Sequence, residues 1–470
     1  MSVPAAATTA LAARDQLTLA LDRAAGARPI EGNRLEHHPD SPRALDAMVA
    51  AIGAARRWVH FENYIIRDDA TGRRFADALA ERARAGVRVR VLYDALGSFG
   101  TSRRYWRRLV QAGAEVRAFH PLLTRHALDL LARDHRKLLV ADGAWAMTGG
   151  LCIGDEWAGD PARGRRPWRD TMVAVTGPAA AALDGAFARI WRQAGGALPP
   201  DELDADPVSC GDSTVRVVEG VPGRARVYRA VELLAASASE RLWITDAYLI
   251  APAPLYASLL DAARGGVDVR LLVPGASDLP VLRNFTRVGY RDLLRAGVRV
   301  FEYQGPMIHA KTIVVDRRWA RVGSTNLNVS SLLTNYELDL TAECEGLTEE
   351  LARQFRHDLA SSQEIVLQPR RMRLPPRLTT GSAPDEGDAP HKRSGYELGA
   401  VAVVALRRVA GGLRRAIAAT AALGCAVLGG LLLVFPRIMG IVLAAGAFTL
   451  ALAFGVYALE RRRTRDPDDG

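Results

Sequence analysis

The sequence is poor in cysteine and in lysine. These shortages limit the kinds of cross-link and metal site that the protein can have, and the residues that supply its positive charge. Its four cysteines lie far apart in 470 residues and form no C-x-x-C pair. This spacing excludes a disulfide framework and a cysteine-ligated zinc site, and it favours a reducing cytoplasm. Lysine occurs only at Lys137, Lys311 and Lys392, so arginine supplies nearly all of the 62 basic residues. The formal charge of +10 favours a polyanionic partner, either nucleic acid or an anionic membrane surface.

The N-terminus lacks the pattern of a secretory signal peptide, because residues 2–13 are small and weakly polar, with no basic stretch before an apolar core. Two long apolar runs lie instead near the C-terminus, at residues 416–436 and 438–459. Each has about the 20 residues that a helix needs to cross a bilayer. The sequence therefore predicts a two-helix transmembrane hairpin, and a buried helical hairpin of a soluble domain is the alternative.

Arginines lie at both ends of this predicted hairpin. They are Arg407, Arg408, Arg414 and Arg415 before it, and Arg461, Arg462, Arg463 and Arg465 after it. The turn between the two apolar runs carries only Arg437. Because basic residues concentrate on the cytoplasmic side of a membrane, both ends of the hairpin are predicted to be cytoplasmic.

The rest of the chain contains an internal repeat. The segment WVHFENYII at 58–66 resembles LWITDAYLI at 242–250, and the strand-like segment that starts at Gly86 recurs at Gly266. This repeated β-α-β order predicts two duplicated α/β domains. The predicted organisation is an N-terminal segment (1–31), a first domain (32–194), a linker (195–214), a second domain (215–373), a flexible tether (374–395), a basic juxtamembrane segment (396–415), two transmembrane helices (416–436 and 438–459) and a cytoplasmic tail (460–470).

A histidine-lysine motif occurs once in each half. The pattern H-x-K-x-x-x-x-D is formed by His135, Lys137 and Asp142 in the first half, and by His309, Lys311 and Asp316 in the second. Nine histidines and three lysines in this chain predict roughly 0.06 chance occurrences of H-x-K alone. Two copies at matched places therefore indicate a site. The aspartates lie five residues beyond their lysines, so we expect them to fix strand-to-turn geometry.

The motif points to phosphodiester chemistry. Because side chains alternate along a strand, a histidine and a lysine two residues apart point from the same face. If the halves come together, two imidazoles and two ammonium groups surround one phosphate without a metal ion or another cofactor. One imidazole can attack phosphorus and form a phosphohistidine, while the other protonates the leaving alcohol.

The sequence around the motifs resembles the phospholipase D superfamily. Each motif is followed by a glycine-led segment, Gly149-Gly150-Leu-Cys152 in the first half and Gly323-Ser324-Thr-Asn326 in the second. The sequence is similar to bacterial cardiolipin synthases over residues 32–370. The segments that carry this similarity are HRKLLVADGAWAMTGGLCIGDEW and, upstream of it, HFENYIIRDD and LYDALGS. The resemblance implies two α/β domains, each a mixed sheet flanked by helices, that form one shared active site.

The resemblance also implies supporting residues beyond the motifs. They are Gly150, Cys152, Ser324 and Asn326 around the phosphate, and Asp170 and Glu337 as carboxylates that orient a histidine. Cys152 stands where the second half has Asn326, and a thiol is a weaker hydrogen-bond partner than an amide. An asymmetric phosphate site is therefore expected.

Three functions remain open on the sequence. The superfamily design serves phosphatidyl transfer, phospholipid hydrolysis and nucleic-acid cleavage alike. The predicted hairpin favours phospholipid, with phosphatidylglycerol as the expected substrate, and disfavours nucleic acid, because tethering raises the local concentration of lipid. The leading hypothesis is a cardiolipin-forming phosphatidyltransferase at the cytoplasmic face of a bacterial inner membrane. The alternatives are a hydrolytic phospholipase D and a membrane-attached nuclease or nucleic-acid-binding protein.

Overall fold

The computed structural model describes residues 16–121, 132–367 and 372–373. All of them belong to the first of two units, residues 1–394 and 395–470. The predicted tether, juxtamembrane segment, transmembrane hairpin and tail lie outside the described residues. Among the helices of the described ranges, none has both the length and the apolar character needed to cross a bilayer.

The first half alternates strands and helices after α1, a helix that includes residues 16–25. Its elements are β1 (Ile30–His38), α2 (Ser41–Ala54), β2 (Trp58–Asn63), α3 (Ala70–Arg84), β3 (Arg88–Asp94), α4 (Arg103–Gln111), β4 (Glu115–Phe119), β5 (Lys137–Ala141), β6 (Trp145–Gly149), α5 (Asp155–Ala158), β7 (Met172–Thr176) and α6 (Pro178–Gln193). The helices begin at capping residues: the Asp69 carboxylate accepts from Gly72 N at the start of α3, and Ser102 accepts from Tyr105 N in α4.

The second half repeats this order and adds two strands at its end. Its elements are β8 (Ser213–Gly220), α7 (Arg226–Ser237), β9 (Arg241–Thr245), α8 (Ala253–Arg264), β10 (Asp268–Pro274), α9 (Pro280–Val288), α10 (Tyr290–Ala296), β11 (Arg299–Tyr303), β12 (Thr312–Val315), β13 (Trp319–Gly323), α11 (Val329–Leu333), β14 (Glu337–Glu343), α12 (Glu345–Ala360), β15 (Ser362–Leu367) and β16 (Met372–Arg373).

All sixteen strands of the described residues form one sheet. The first half contributes the order β1-β7-β6-β5-β2-β3-β4, and the second half contributes the matching order β8-β14-β13-β12-β9-β10-β11, followed by β15 and β16. Strands β2, β3 and β4 are parallel, as are β9, β10 and β11, and the other pairs are antiparallel. The halves join where β1 pairs with β8. The fold is thus mixed α/β, as predicted.

A shared core lies between the halves. One cluster of buried side chains combines Phe187 and Trp191 of α6 with Leu351 and Phe355 of α12, and includes Val140 and other inward-facing residues of both half-sheets. Two further clusters fill the outer sides, one in each half. Because the central core takes side chains from both halves, separating the halves would expose a large apolar surface.

The inter-domain linker predicted at residues 195–214 packs onto the first half. A 3₁₀ turn at Pro200–Glu202 buries the Glu202 side chain completely. Glu202 accepts from Arg90, and its Oε2 lies 3.2 Å from Nε2 of His60. Nδ1 of His60 lies 2.5 Å from the Asp184 carboxylate. His60, to which the sequence assigns no chemistry, therefore helps to hold the linker in place.

Candidate active site

Both motif histidines lie at the beginning of equivalent strands, and each is held by backbone of the other half. His135 precedes β5, and its backbone N–H donates to the Tyr336 carbonyl at 2.9 Å. His309 precedes β12, and its N–H donates to the Arg169 carbonyl at 2.7 Å. Each contact joins residues far apart in sequence. The interface between the halves thus fixes the backbone position of both histidines.

The side chains of the two histidines are held across the same interface. Nδ1 of His135 lies 3.0 Å from Glu337 Oε2, and Nδ1 of His309 lies 2.7 Å from Asp170 Oδ2. Each carboxylate comes from the half opposite to its histidine. A carboxylate that accepts from Nδ1–H fixes the tautomer in which Nε2 carries the lone pair. Nε2 is the nitrogen left to meet phosphorus or a proton.

The two carboxylates are themselves held in place. Glu337 accepts from the Ser324 hydroxyl at 2.5 Å, and Ser324 Oγ in turn accepts from the backbone N–H of Leu338. Asp170 accepts from Trp157 Nε1 at 3.0 Å. Ser324, which the resemblance places around the phosphate, therefore contacts the orienting carboxylate in this structure.

The motif lysines are buried beside their histidines. Lys137 and Lys311 are almost fully inaccessible, and each ammonium donates to the carbonyl of the histidine two residues before it. The Lys137 ammonium lies 5.1 Å from the ring centre of Tyr64, and the Lys311 ammonium lies 5.9 Å from that of Tyr248. Two buried cations beside the two histidines suit an anionic ligand.

Aromatic rings enclose both histidines, and sequence reasoning missed them. The ring of Tyr64 meets His135 edge-on at 4.8 Å. Tyr248, Trp157 and Trp168 surround His309, with ring centres 5.6–6.0 Å away. A signal was available for the tyrosines, because both occur in the repeated segment, as ENY at 62–64 and DAY at 246–248. The tryptophans have no counterpart in the other half.

The site lowers the pKa values of its bases. Burial, and then the positive charge of Lys311, lower the pKa of His309 to about 4. Burial also lowers the pKa of His135, and the charges of Lys137 and Lys311 act in the same direction. Burial alone would raise the pKa of Glu337, but the neighbouring His135 and Lys137 bring it below its usual value. Both imidazoles are therefore mainly neutral near pH 7 before an anion binds.

A pH dependence follows from Lys311. Burial, with a further effect of Lys137, lowers the pKa of this lysine from 10.5 to about 8. The ammonium is present below that pH and is lost above it, so phosphate loses a positive partner as pH rises. We expect kcat/KM to fall above about pH 8, approaching tenfold per pH unit. A rate profile that stays flat to pH 10, in a chain whose circular dichroism is unchanged, would contradict this.

The predicted phosphate residues form an asymmetric pair. The side-chain oxygen of Asn326 is buried and has no hydrogen-bond partner among the described residues, while its Nδ2 lies 3.4 Å from Ser331 Oγ. This amide oxygen can accept from a donor on a ligand, such as a hydroxyl, whereas only the Nδ2–H group can donate to phosphate oxygens. In the first half the equivalent Cys152 is buried, and burial raises the pKa of its thiol. Gly150 has no room for a side chain, since a Cβ would lie 2.2 Å from Asp170 Oδ1.

The motif aspartates lie away from the histidines. Asp142 and Asp316 follow β5 and β12, at the ends opposite to the histidines, and both have positive φ. Asp142 accepts from the backbone N–H groups of residues 56–58, and Asp316 from those of residues 239–241. Although they belong to the predicted catalytic motif, these carboxylates organise the turn before β2 or β9.

Comparison with known proteins agrees with this geometry. The family model described as cardiolipin synthase, phospholipase D-like domain, matches residues 48–191 and 232–359, one match in each half. Cardiolipin synthase A of Pseudomonas aeruginosa is 36% identical over 352 residues, which cover 73% of this chain and 70% of that protein. Cardiolipin synthase of Halalkalibacterium halodurans is 34% identical over 324 residues, 67% of this chain and 64% of that protein.

A solved structure has a similar fold. The crystal structure of phosphatidylserine synthase from Haemophilus influenzae aligns with a TM-score of 0.60 at 15% identity. The alignment covers 74% of this chain and 92% of that one. At this identity the likeness shows the fold alone. The family model that matches both halves, and the relatives that are 36% and 34% identical, show that the chain belongs to the cardiolipin synthase family of phospholipase D-like proteins.

Proposed function

We propose that the protein is a phosphatidyltransferase that makes cardiolipin from phosphatidylglycerol and a second phospholipid. The observation that carries this proposal is the pair of buried histidines, His135 and His309, each oriented by a carboxylate of the opposite half. The names of the relatives and the family model support cardiolipin as the product. In this proposal the two duplicated domains form one shared site, and their boundaries are those predicted from the sequence.

The first step transfers the phosphatidyl group to the protein. Nε2 of one histidine attacks phosphorus, a P–N bond forms, and the P–O bond to the headgroup alcohol breaks. The other histidine, protonated once the anionic phosphate is bound, gives its proton to the departing oxygen. Lys137 and Lys311 balance charge on the nonbridging oxygens. The product is a phosphohistidine and a free alcohol, which is glycerol when the donor is phosphatidylglycerol.

The second step reverses the proton transfer. A headgroup hydroxyl of phosphatidylglycerol gives its proton to the now neutral acid-base histidine and attacks phosphorus. The P–N bond breaks, and the new P–O bond completes cardiolipin. The aromatic rings of Tyr64, Trp157, Trp168 and Tyr248 around the histidines favour a lipid alcohol over water, because they make the surroundings of the intermediate apolar.

Lipid mass spectrometry tests the proposal. The full chain is incubated in vesicles with phosphatidylglycerol, alone and with phosphatidylethanolamine, beside a variant that carries both His135→Ala and His309→Ala. Cardiolipin that forms only with intact histidines supports the transferase. Phosphatidic acid without cardiolipin would instead make the protein a hydrolytic phospholipase D, and the absence of any lipid product would overturn both.

We also propose that the apolar runs at 416–436 and 438–459 anchor the protein in the bacterial inner membrane, with the catalytic domains on the cytoplasmic side. The apolar length and the flanking arginines support this. We expect the full chain to sediment with membranes and a chain that ends at residue 373 to remain largely in the supernatant. Equal sedimentation of both chains after a carbonate wash would contradict the anchor.

A further inference from the structure

Exposed apolar side chains follow two equivalent strands, β3 in the first half and β10 in the second. In the first half, Leu96 and Phe99 are 48% and 74% exposed, and we call this pair the first rim. In the second half, Leu279, Phe285 and Val288 are 46%, 50% and 79% exposed, and we call them the second rim. Single exposed leucine or phenylalanine side chains are common on protein surfaces. Their position relative to the active site therefore decides whether they indicate a binding surface.

The first rim is built directly onto the environment of His135. It follows β3, and the Asp94 carboxylate at its start accepts from the backbone N–H of Leu96 and from that of Asp134, which precedes His135. Ser98 Oγ, next to Phe99, donates to the Tyr64 carbonyl at 3.2 Å. The ring of Tyr64 in turn faces His135. Phe99 therefore follows directly on a residue that contacts Tyr64, the tyrosine beside His135.

The second rim has the equivalent construction. It follows β10, the counterpart of β3 in the sheet order. Asp278, next to Leu279, accepts from the hydroxyl of Tyr248 at 2.8 Å, and the ring of Tyr248 faces His309. Phe285 and Ile250 line one small apolar cavity of about 120 Å³. In both halves, then, the segment after equivalent strands contacts the tyrosine beside a histidine and exposes apolar side chains. These lie on the loop after β3 in the first half, and on Leu279 and helix α9 after β10 in the second.

Exposed basic side chains lie close in sequence to the first rim and to Trp168 beside His309. Exposed Arg103 and Arg104 begin α4, four and five residues after Phe99. Three more exposed arginines, Arg163, Arg165 and Arg166, precede Trp168, whose ring is 6.0 Å from that of His309. Apolar side chains that enter the acyl region and arginines at headgroup level are the combination by which proteins bind anionic bilayers at the interface.

We propose that the two rims insert into the surface of an anionic phospholipid bilayer and place the histidines at the depth of the lipid phosphates. The inference deepens the proposed function, on which its substrate rests. A phospholipid would then reach both lysines while its acyl chains stay in the bilayer. The rims act by positioning the protein on the membrane, so they affect lipid in vesicles and leave the reaction of dissolved lipid unchanged.

The kinetic test compares the rates on one phospholipid headgroup in a bilayer and in solution. The full chain and the double variant Phe99→Ser with Leu279→Ser are assayed on long-chain phosphatidylglycerol in vesicles and on dihexanoyl phosphatidylglycerol dissolved as monomers. We expect the variant to lose at least about tenfold in kcat/KM on vesicles and to stay within about twofold on monomers. Phe99→Trp with Leu279→Trp should restore vesicle activity. The matched control is Leu19→Ser with Val208→Ser, two exposed apolar residues outside the rims, and it should change neither rate.

A binding test separates this inference from the proposed function. An environment-sensitive fluorophore is attached to Phe99→Cys in a Cys210→Ser background, with Leu19→Cys as the control position. We expect phosphatidylglycerol vesicles to raise the fluorescence at position 99 several-fold and to leave position 19 unchanged. Equal fluorescence changes at positions 99 and 19 would overturn the rim proposal even in an active enzyme. Equal losses of rate on vesicles and on monomers in the double serine variant would overturn it as well. A chain that inserts position 99 but forms no lipid product would overturn the proposed function alone.

Discussion

His135→Ala and His309→Ala should each reduce cardiolipin formation by about 10⁴-fold or more, and the double variant should be no slower than either single one. The reason is that the two imidazoles have complementary parts in one reaction. Loss of the nucleophile prevents the P–N bond, and loss of the acid-base partner leaves the alcohol without a proton. Initial rates of cardiolipin formation in phosphatidylglycerol vesicles measure the effect.

His357→Ala is the matched control, because this histidine is largely exposed on α12. Its rate should stay within about twofold of that of the unmodified chain. A near-normal rate in either motif variant would contradict the shared two-histidine site. Additive losses in the double variant would indicate that the histidines act in separate reactions.

Glu337→Gln and Asp170→Asn should reduce kcat by about 10²- to 10⁴-fold with little change in KM. Each amide keeps the size of the carboxylate but no longer accepts strongly from the imidazole Nδ1–H or balances an imidazolium. The loss from Glu337→Gln then acts through His135, and the loss from Asp170→Asn acts through His309, each across the interface between the halves. Steady-state kinetics on vesicles, with kcat and KM determined separately, measure it.

Glu343→Gln serves as the control on the same strand as Glu337, because Glu343 pairs with Arg318 and contacts neither histidine. It should leave kcat nearly unchanged. The pairing itself is tested by a double-variant cycle: Glu337→Gln should add little to His135→Ala, whereas independent residues would give additive losses. Full additivity within that pair would rule out that Glu337 acts through His135.

The sequence predicts the reacting groups of this site well, because their signal is local. A histidine and a lysine two residues apart lie on one face of a strand whatever the rest of the fold does. The duplication, the mixed α/β class and the superfamily also follow from short segments that recur in order. The two extra strands, β15 and β16, have no counterpart in the first half, so comparison of the repeats could not reveal them.

The exchange of carboxylates between the halves could not be predicted in this way. Asp170 and Glu337 follow the motifs of their own halves, and the sequence predicts that each orients a histidine without showing which one. The structure pairs each with the distant histidine, because the contact depends on how β1 meets β8 and how α6 and α12 pack together. These are long-range packing relationships. The buried position of Glu202 in the linker escaped prediction for the same reason.

The carboxylate exchange also bears on how the protein is made. The first half leaves the ribosome before the second, so at that stage no Glu337 lies beside His135. Until the second half is made, His135 therefore has neither the carboxylate that fixes its tautomer nor the partner imidazole of His309. Both histidines are oriented only once β14, which carries Glu337, has joined the sheet. A chain that ends before β14 therefore lacks one of the two orienting carboxylates.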